Sequence, residues 1–515
     1  MLAKTYCAAV MGLDATTITI EVNMTRGVMY NLSGMADTAV KESYARISAA
    51  LPNVGYKIPV TNLTINLSPA DIRKEGSSYD LPIAIGILAA NGNITAEHLD
   101  DYLMVGELGL DGKLKPIRAA LPIAIRARKE HFKAIVVPAA NAREAAVVNQ
   151  LEVYGMEDIQ QVVALVTGTQ TFEPVVVDTR REFYDHQTKF ELDYADVRGQ
   201  ENVKRALEVA AAGGHNLIMI GPPGSGKSMM AKRLPSILPP LSLSESLETT
   251  QVHSVAGKLG HDTSLISQRP FRSPHHTISQ VGLCGGTSNA QPGEVSLAHN
   301  GVLFLDELTE FSKQTLEVLR QPLEDRKITI SRAKFTVEYP CSFMFVASTN
   351  PCPCGYYGDP THTCVCTPGQ IQRYMSKISG PLLDRIDIQC EISALSFEEI
   401  SKAAPGEPSA AIRERVIRAR AIQEERFRGV RGVHCNAQMS ERMIHQYAEP
   451  DAQSLQLLRM GMERLKLSAR AYNRILKVAR TIADLDGSER VQSSHIAEAI
   501  GYRNLDRGDW AERGI

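Results

Sequence analysis

The stretch Asn216-Leu217-Ile218-Met219-Ile220-Gly221-Pro222-Pro223-Gly224-Ser225-Gly226-Lys227-Ser228 decides how this chain is read. Leu217 to Ile220 predict a buried strand, and Met229-Met230-Ala231-Lys232-Arg233-Leu234 continue as a helix. Between them, Gly221, Pro222, Pro223, Gly224, Ser225, Gly226, Lys227 and Ser228 fit G-x-x-x-x-G-K-[ST]. The glycines let the backbone wrap a triphosphate, and its N–H groups form an anion nest at a helix N-terminus. Lys227 can neutralise the β/γ-phosphates and Ser228 can offer a hydroxyl to Mg²⁺. An ordinary glycine-rich turn has no need of the strand and helix that flank this one. The expectation is a nucleoside triphosphate site, taking ATP and Mg²⁺.

Further along, Gly301-Val302-Leu303-Phe304-Leu305-Asp306-Glu307 reads as an apolar strand ending in two carboxylates. Acids at the C-terminal end of a buried strand suit Mg²⁺ capture by Asp306 and water activation by Glu307. A second buried strand, 342–349, ends in the amide of Asn350. Residues 327–338 alternate on both sides of a short turn, predicting a β-hairpin whose tip carries Arg332 and Lys334. If the chain forms a ring, these cations would enter the pore and track a phosphate backbone; the plainer alternative is a solvated tip.

Four of the nine cysteines cluster as Cys352-Pro353-Cys354 and Cys364-Val365-Cys366. Two such pairs can enclose a tetrahedral, structural Zn²⁺, the preferred reading. A redox pair, unpaired thiols or an iron–sulfur cluster also fit the spacing. His362 is a substitute ligand on the same loop.

A chain of 515 residues is too long for one core and predicts about three domains. The net charge of -2 excludes a global basic field, so nucleic-acid contact requires a local patch. No apolar run reaches the roughly 18 residues that cross a membrane, and Asp14 interrupts the apolar start where a signal segment would lie. The cysteine pattern argues against a disulfide framework. A cytoplasmic protein without a membrane partner is expected.

The N-terminal part, 1–167, reads as mixed α/β, with strands over 16–22 and 62–67, helices over 39–50 and 80–90, and a further strand near 133–138. The polar stretch 168–189 reads as a linker. Residues 190–392 form the motor, carrying the cysteine insertion 351–367, and 393–515 form a helical lid. Helices are expected over 410–427 and 467–485, the latter with Ser468 as N-cap, and a closing helix starts near Ser494.

Glu75-Gly76, the run Val105-Gly106-Glu107-Leu108-Gly109-Leu110-Asp111-Gly112-Lys113-Leu114-Lys115-Pro116-Ile117, and Ile135-Val136-Val137-Pro138 resemble the proteolytic domain of Lon-type proteases and its relative in the DNA-repair protein RadA. The resemblance implies an S5-type α+β domain. Lon enzymes use a Ser–Lys dyad. Here the serine slot holds Asp80, with Ser77 and Ser78 close by, and the lysine slot holds Leu121, so the domain is expected to be degenerate and to serve assembly or docking.

The motor resembles AAA+ ATPases in its motif order. That likeness implies that Gln200, in Val197-Arg198-Gly199-Gln200, lies against the adenine and that Asn350 orients the attacking water. Pro381-Leu382-Leu383-Asp384-Arg385-Ile386-Asp387 resembles the arginine-finger segment of the magnesium-chelatase and MCM branch, implying that Arg385 reaches a neighbouring subunit's γ-phosphate; an intrachain pair with Asp384 or Asp387 is the alternative. Arg470 matches the lid's cis nucleotide contact, with Arg474 as its fallback. The stretch 269–294 sits where this branch inserts a loop into a helix.

Pro270-Phe271-Arg272-Ser273-Pro274-His275-His276, Gly293 to Leu308, Asn350-Pro351-Cys352-Pro353-Cys354-Gly355 and Ser468 to Leu485 together resemble the YifB/ComM family of magnesium-chelatase-like AAA+ proteins, over nearly the whole chain. The resemblance implies a homo-hexameric helicase that drives branch migration of DNA and integrates incoming strands during natural transformation and recombination. It implies single-stranded and branched DNA in the pore and recombination proteins as further partners. The competing class is a remodelling or chelatase-type motor acting on a protein partner, against which the N-terminal domain and the cysteine cluster weigh.

Overall fold

The structure, a computed structural model, describes residues 2–58, 60–95, 97–260, 263–287, 289–332, 335–359, 362–395, 399, 401, 404–465 and 467–503. The chain divides into two compact units, Met1–Asp185 with Leu243–Ser267, and His186–Ser242 with Gln268–Ile515.

Among the described residues the first unit is built on nine strands: β1 (Leu2–Met11), β2 (Asp14–Thr25), β3 (Tyr30–Ser33), β4 (Asn62–Ser68), β5 (Tyr102–Met104), β6 (Glu107–Leu108), β7 (Leu114–Lys115), β8 (Ala134–Pro138) and β9 (Glu152–Met156). Seven of them form a mixed sheet in the order β3-β4-β2-β1-β5-β8-β9. β1 pairs antiparallel with β2, and β5, β8 and β9 extend the sheet in parallel. β1 was not expected from the sequence: its small residues Ala8 and Ala9 and its Cys7 are buried consecutively, so the alternation that marks a half-exposed strand is missing.

Helix Asp80–Ala90 matches its predicted span, and every residue in it is buried. An all-round apolar helix belongs inside a core. A Cβ on Gly86 would lie 2.7 Å from a Val22 methyl carbon, so this helix sits directly on β2. The helix expected over 39–50 is two helices, Thr38–Lys41 and Ser43–Asn53. The stretch read as a linker contains helix Thr179–His186, whose Phe183 is buried. Helix Leu243–Ala256, in the span read as motor, groups with the first unit: Ser254 bonds both the Ala119 N–H and Glu144.

The second unit holds a parallel five-stranded sheet in the order β11-β12-β15-β10-β16, with β10 (Leu217–Ile220), β11 (Phe271–Arg272), β12 (Val302–Leu305), β15 (Met344–Thr349) and β16 (Ile388–Glu391). β13 (Lys327–Arg332) and β14 (Phe335–Pro340) form the expected antiparallel hairpin, Arg332 pairing with Phe335 across the turn. Phe271 and Arg272, in the loop insertion read from the sequence, form the edge strand on β12. Helices Ser409–Arg426, Glu441–Tyr447, Ala452–Leu465, Ala469–Leu485 and Ser493–Gly501 make the C-terminal helical part, whose apolar residues join the same core as β10 and β12. Ser468 caps its helix as expected, accepting from the Ala471 N–H.

Candidate nucleotide site and cysteine cluster

The parallel register brings three strand ends to the same edge, within two residues of one another. Ile220 faces Thr349 across β10 and β15, and Leu305 faces Ala347 across β12 and β15. The residues that follow, Gly221, Asp306 and Asn350, therefore leave the carboxyl edge of the sheet side by side, where open α/β sheets bind ligands. Gly221 is required there by space: a Cβ on it would lie 2.2 Å from the Ile392 carbonyl oxygen.

Lys227 opens the helix Lys227–Arg233 and is buried. Its Nζ donates to the Gly221 and Pro222 carbonyls at 2.7 and 2.8 Å and to Asn350 Oδ1 at 3.3 Å. Burial lowers the Lys227 pKa, and the charges of Asp306 and Glu307 partly oppose the shift. Ser228 Oγ donates to Asp306 Oδ2 at 2.6 Å. A hydroxyl and a carboxylate oxygen converging on one point suit a hard, oxygen-seeking cation. Lys227, Ser228, Asp306 and Asn350 are thus brought together by the fold.

Glu307 follows with φ of 52°, a left-handed conformation that a glutamate adopts only at a cost. Its N–H donates to Asp306 Oδ1 at 3.1 Å and to Ser348 Oγ at 3.3 Å. Ser348 also donates to Asp306. Sequence reasoning passed over this serine, yet the hydroxyls of Ser348 and Thr349 at the end of the apolar run 343–347 are a readable signal. His276 was likewise missed as a neighbour; its Nδ1 stands 3.8 Å from Glu307 Oε2.

Gln200 has φ of 59° and donates through its side chain to the Ser393 carbonyl at 2.7 Å. Arg385 pairs with Glu324 and donates to the Pro381 carbonyl at 2.8 Å, so neither Asp384 nor Asp387 is its partner. Its Nε is buried with no hydrogen-bond partner. The two aspartates are instead held by the helix Ala469–Leu485: Arg470 bonds Asp384, and Arg474 meets Asp387 at 2.5 Å. Asp387 also faces His215 Nδ1 at 3.1 Å, and His215 reaches Thr481 at 2.8 Å. Burial alone would raise the Asp387 carboxyl, but Arg474 and His215 hold it well below the usual carboxylate range.

The four cysteines come together. Cys352, Cys354, Cys364 and Cys366 have all their Sγ atoms within 4.8 Å of one another. The Cys352–Cys354, Cys354–Cys364 and Cys352–Cys364 separations are 3.3, 3.5 and 3.7 Å. Zn–S bonds of about 2.3 Å at tetrahedral angles place sulfurs about 3.8 Å apart, so the set fits Zn²⁺. Burial would raise the Cys354 thiol, yet the Tyr356 and Val365 N–H groups draw it down to about 6. Cys364 is pushed up to about 12 by burial and by the neighbouring thiols. A bound cation favours the thiolate form of its ligands, so metal binding and deprotonation go together at such a set. His362 is drawn off the set, stacked on Tyr356 with ring centroids 4.7 Å apart.

Arg332 is exposed near the hairpin tip, and Lys334 lies outside the described residues. In the first unit, Asp80 is fully buried and paired with Arg46 through two bonds, 2.7 and 2.8 Å. Ser77 bonds Glu107, itself 3.6 Å from Lys115, and Leu121 is buried with its N–H on Glu144. The serine is tied to an acid rather than to an amine.

Residues 193–400 match the family model described as magnesium chelatase, subunit ChlI; residues 20–141 match subunit ChlI of Mg-chelatase; and residues 406–503 match magnesium chelatase, subunit ChlI C-terminal. The chain is 41% identical over 509 residues to the competence protein ComM of Haemophilus influenzae, and 42% identical over 509 residues to the protein YifB of Escherichia coli, covering 98% of each chain in both cases. It is 31% identical over 159 residues to Lon protease 2 of Bacillus subtilis, 28% of this chain and 27% of that one. Since a ChlI model covers the N-terminal part too, that part no longer weighs against a chelatase-like motor.

Proposed function

The chain belongs to the YifB/ComM family of magnesium-chelatase-like AAA+ ATPases, and from that premise we propose that it is an ATP-dependent, hexameric DNA helicase that promotes branch migration and the integration of incoming DNA. The observation that carries the reading is the convergence of Lys227, Ser228, Asp306 and Asn350 at one edge of the parallel sheet. ATP is the substrate of this site. Lys227 meets its phosphates, the nest of Gly221 to Ser228 cradles them, Gln200 lies toward the base, and Arg470 of the lid adds a contact in cis. Ser228 and Asp306 would hold Mg²⁺, which supplies charge to the phosphate oxygens.

Glu307 takes the proton of the attacking water, and Asn350 orients that water. Arg385 supplies the positive charge from a neighbouring subunit, giving up its pair with Glu324 to do so. The cysteine cluster is a structural Zn²⁺ site. The hairpin of β13 and β14 presents Arg332, with Lys334, to a phosphate backbone. The name of the Haemophilus influenzae relative, competence protein ComM, supports a DNA-related role.

The test is the ATP hydrolysis rate of the full chain with and without single-stranded and forked DNA. Stimulation by forked DNA, abolished by Arg332→Glu without loss of basal hydrolysis, is expected. No stimulation and no DNA binding would favour the second reading, a remodelling or chelatase-type motor acting on a protein, which the three ChlI family matches support.

A further inference from the structure

The loop that follows Asn350 touches the phosphate loop. Gly355 has φ of 88°, and a Cβ on it would lie 2.6 Å from Cδ and 2.8 Å from Cγ of Pro223. Atoms do not approach that closely, so the backbone of the cysteine loop rests on the ring of the phosphate loop's second proline. Its N–H closes the turn on the Cys352 carbonyl at 3.0 Å. Two residues before Cys352, Asn350 receives the 3.3 Å bond from Lys227. The same short segment therefore meets the nucleotide site twice, at Pro223 and at Lys227, and Cys352 and Cys354 stand between the two contacts. Among the described residues from Cys352 to Cys366 there is neither helix nor strand. Among the described residues no backbone ladder spans this loop, and the four sulfurs bring Cys352 and Cys354 together with Cys364 and Cys366.

We propose that Gly355 is a positioning residue for ATP binding, and that the metal held by Cys352, Cys354, Cys364 and Cys366 acts on the nucleotide site through it. The metal fixes the height of the Gly355 turn, and the turn fixes Pro223 and the curvature of Gly221 to Ser228. This rests on reading the cluster as a metal site. Occupied, the site holds the phosphate loop in its binding shape; stripped, it lets the turn lift and the nest loosen. The effect falls on ATP affinity rather than on turnover at saturation, because Glu307 and Arg385 belong to other segments and Asn350 is held by the end of β15, paired with β10, rather than by the turn.

Three forms of the full chain test this, each measured for metal per chain, for equilibrium affinity toward a fluorescent ATP analogue, and for kcat. Gly355→Ala is expected to keep its metal, to weaken ATP binding by about tenfold, about 1.4 kcal/mol, and to leave kcat within about twofold. Gly358→Ala is the control: its φ of 78° imposes similar backbone strain, but among the described residues beyond its chain neighbours no atom lies within 4 Å of its added Cβ, and affinity is expected to be unchanged. Wild-type protein stripped of metal, its fold checked by circular dichroism, is expected to lose affinity like Gly355→Ala and to regain it when Zn²⁺ is restored.

Wild-type affinity in Gly355→Ala, or an equal loss in Gly358→Ala, would overturn the positioning role. Unchanged affinity after stripping would overturn the link to the metal. Absence of any metal in the purified wild type would instead overturn the metal reading, while Gly355→Ala would still decide whether the turn sets the loop.

Discussion

Asp80 in the first unit and Asp306 in the second are both acids presented by fully apolar elements, one by a buried helix, the other by a buried strand. Asp80 gives both oxygens to Arg46, at 2.7 and 2.8 Å. Asp306 faces neutral donors: the hydroxyls of Ser228 and Ser348 and the N–H of Glu307. A carboxylate matched by a guanidinium is a closed unit, with charge and hydrogen bonds satisfied from within. A carboxylate surrounded by dipoles keeps its charge available for a cation. The contrast separates a position that has become structural from one that can still do chemistry, although both slots were assigned from motif order in the same way.

The sharpest ways to break that contrast lie in the second unit. Arg385→Ala is expected to lower kcat for ATP hydrolysis by about 10³-fold or more, the scale for a trans arginine, with ATP binding retained. Glu307→Gln is expected to cost about 10²–10⁴ in kcat, as loss of a general base does, and to leave ATP and DNA bound without branch migration. Near-normal hydrolysis by either variant would remove that residue from the mechanism.

In the first unit, Asp80→Asn is expected to cost about 3 kcal/mol of stability, because it strands the Arg46 guanidinium beside a neutral group, while kcat for ATP stays unchanged. Asp80→Ser is expected to create no peptidase activity. Peptide hydrolysis by that variant would show that the slot is dormant rather than structural.

The smallest effect concerns acid. Asp387 has a folded pKa below its unfolded value of about 3.9, so its stabilisation is complete above that value and is lost as pH falls through the folded pKa. Asp387→Asn is therefore expected to lower stability at neutral pH and to flatten the loss of stability below about pH 4, read by urea unfolding at a series of pH values.

Much of the second unit was legible because its chemistry is contiguous. Gly221 to Ser228 and Val302 to Glu307 each carry a buried strand and its terminal polar groups within a few residues, so local pattern and site coincide. The four cysteines were legible for the same reason. What sequence could not supply was pairing at a distance. Arg385 meets Glu324 rather than the aspartates beside it, because Arg470 and Arg474 have taken those. Gly355 rests on Pro223 across a long separation in the chain. Phe271 and Arg272 form a strand only because β12 offers an edge, and helix Leu243–Ala256 follows Glu144 and Ala119 rather than its neighbours in sequence. β1 escaped because the consecutive burial of Cys7, Ala8 and Ala9 breaks the period of two in its middle.

The central claim is that each ATP site is finished by another subunit's Arg385. Mixing Arg385→Ala with Glu307→Gln after subunit exchange tests it directly. In a closed head-to-tail ring, random mixing at equal ratio leaves about a quarter of the interfaces with both residues intact. The account predicts recovery of about that fraction of the wild-type hydrolysis rate from two inactive proteins. A mixture no more active than its components, in rings shown to exchange, would contradict it.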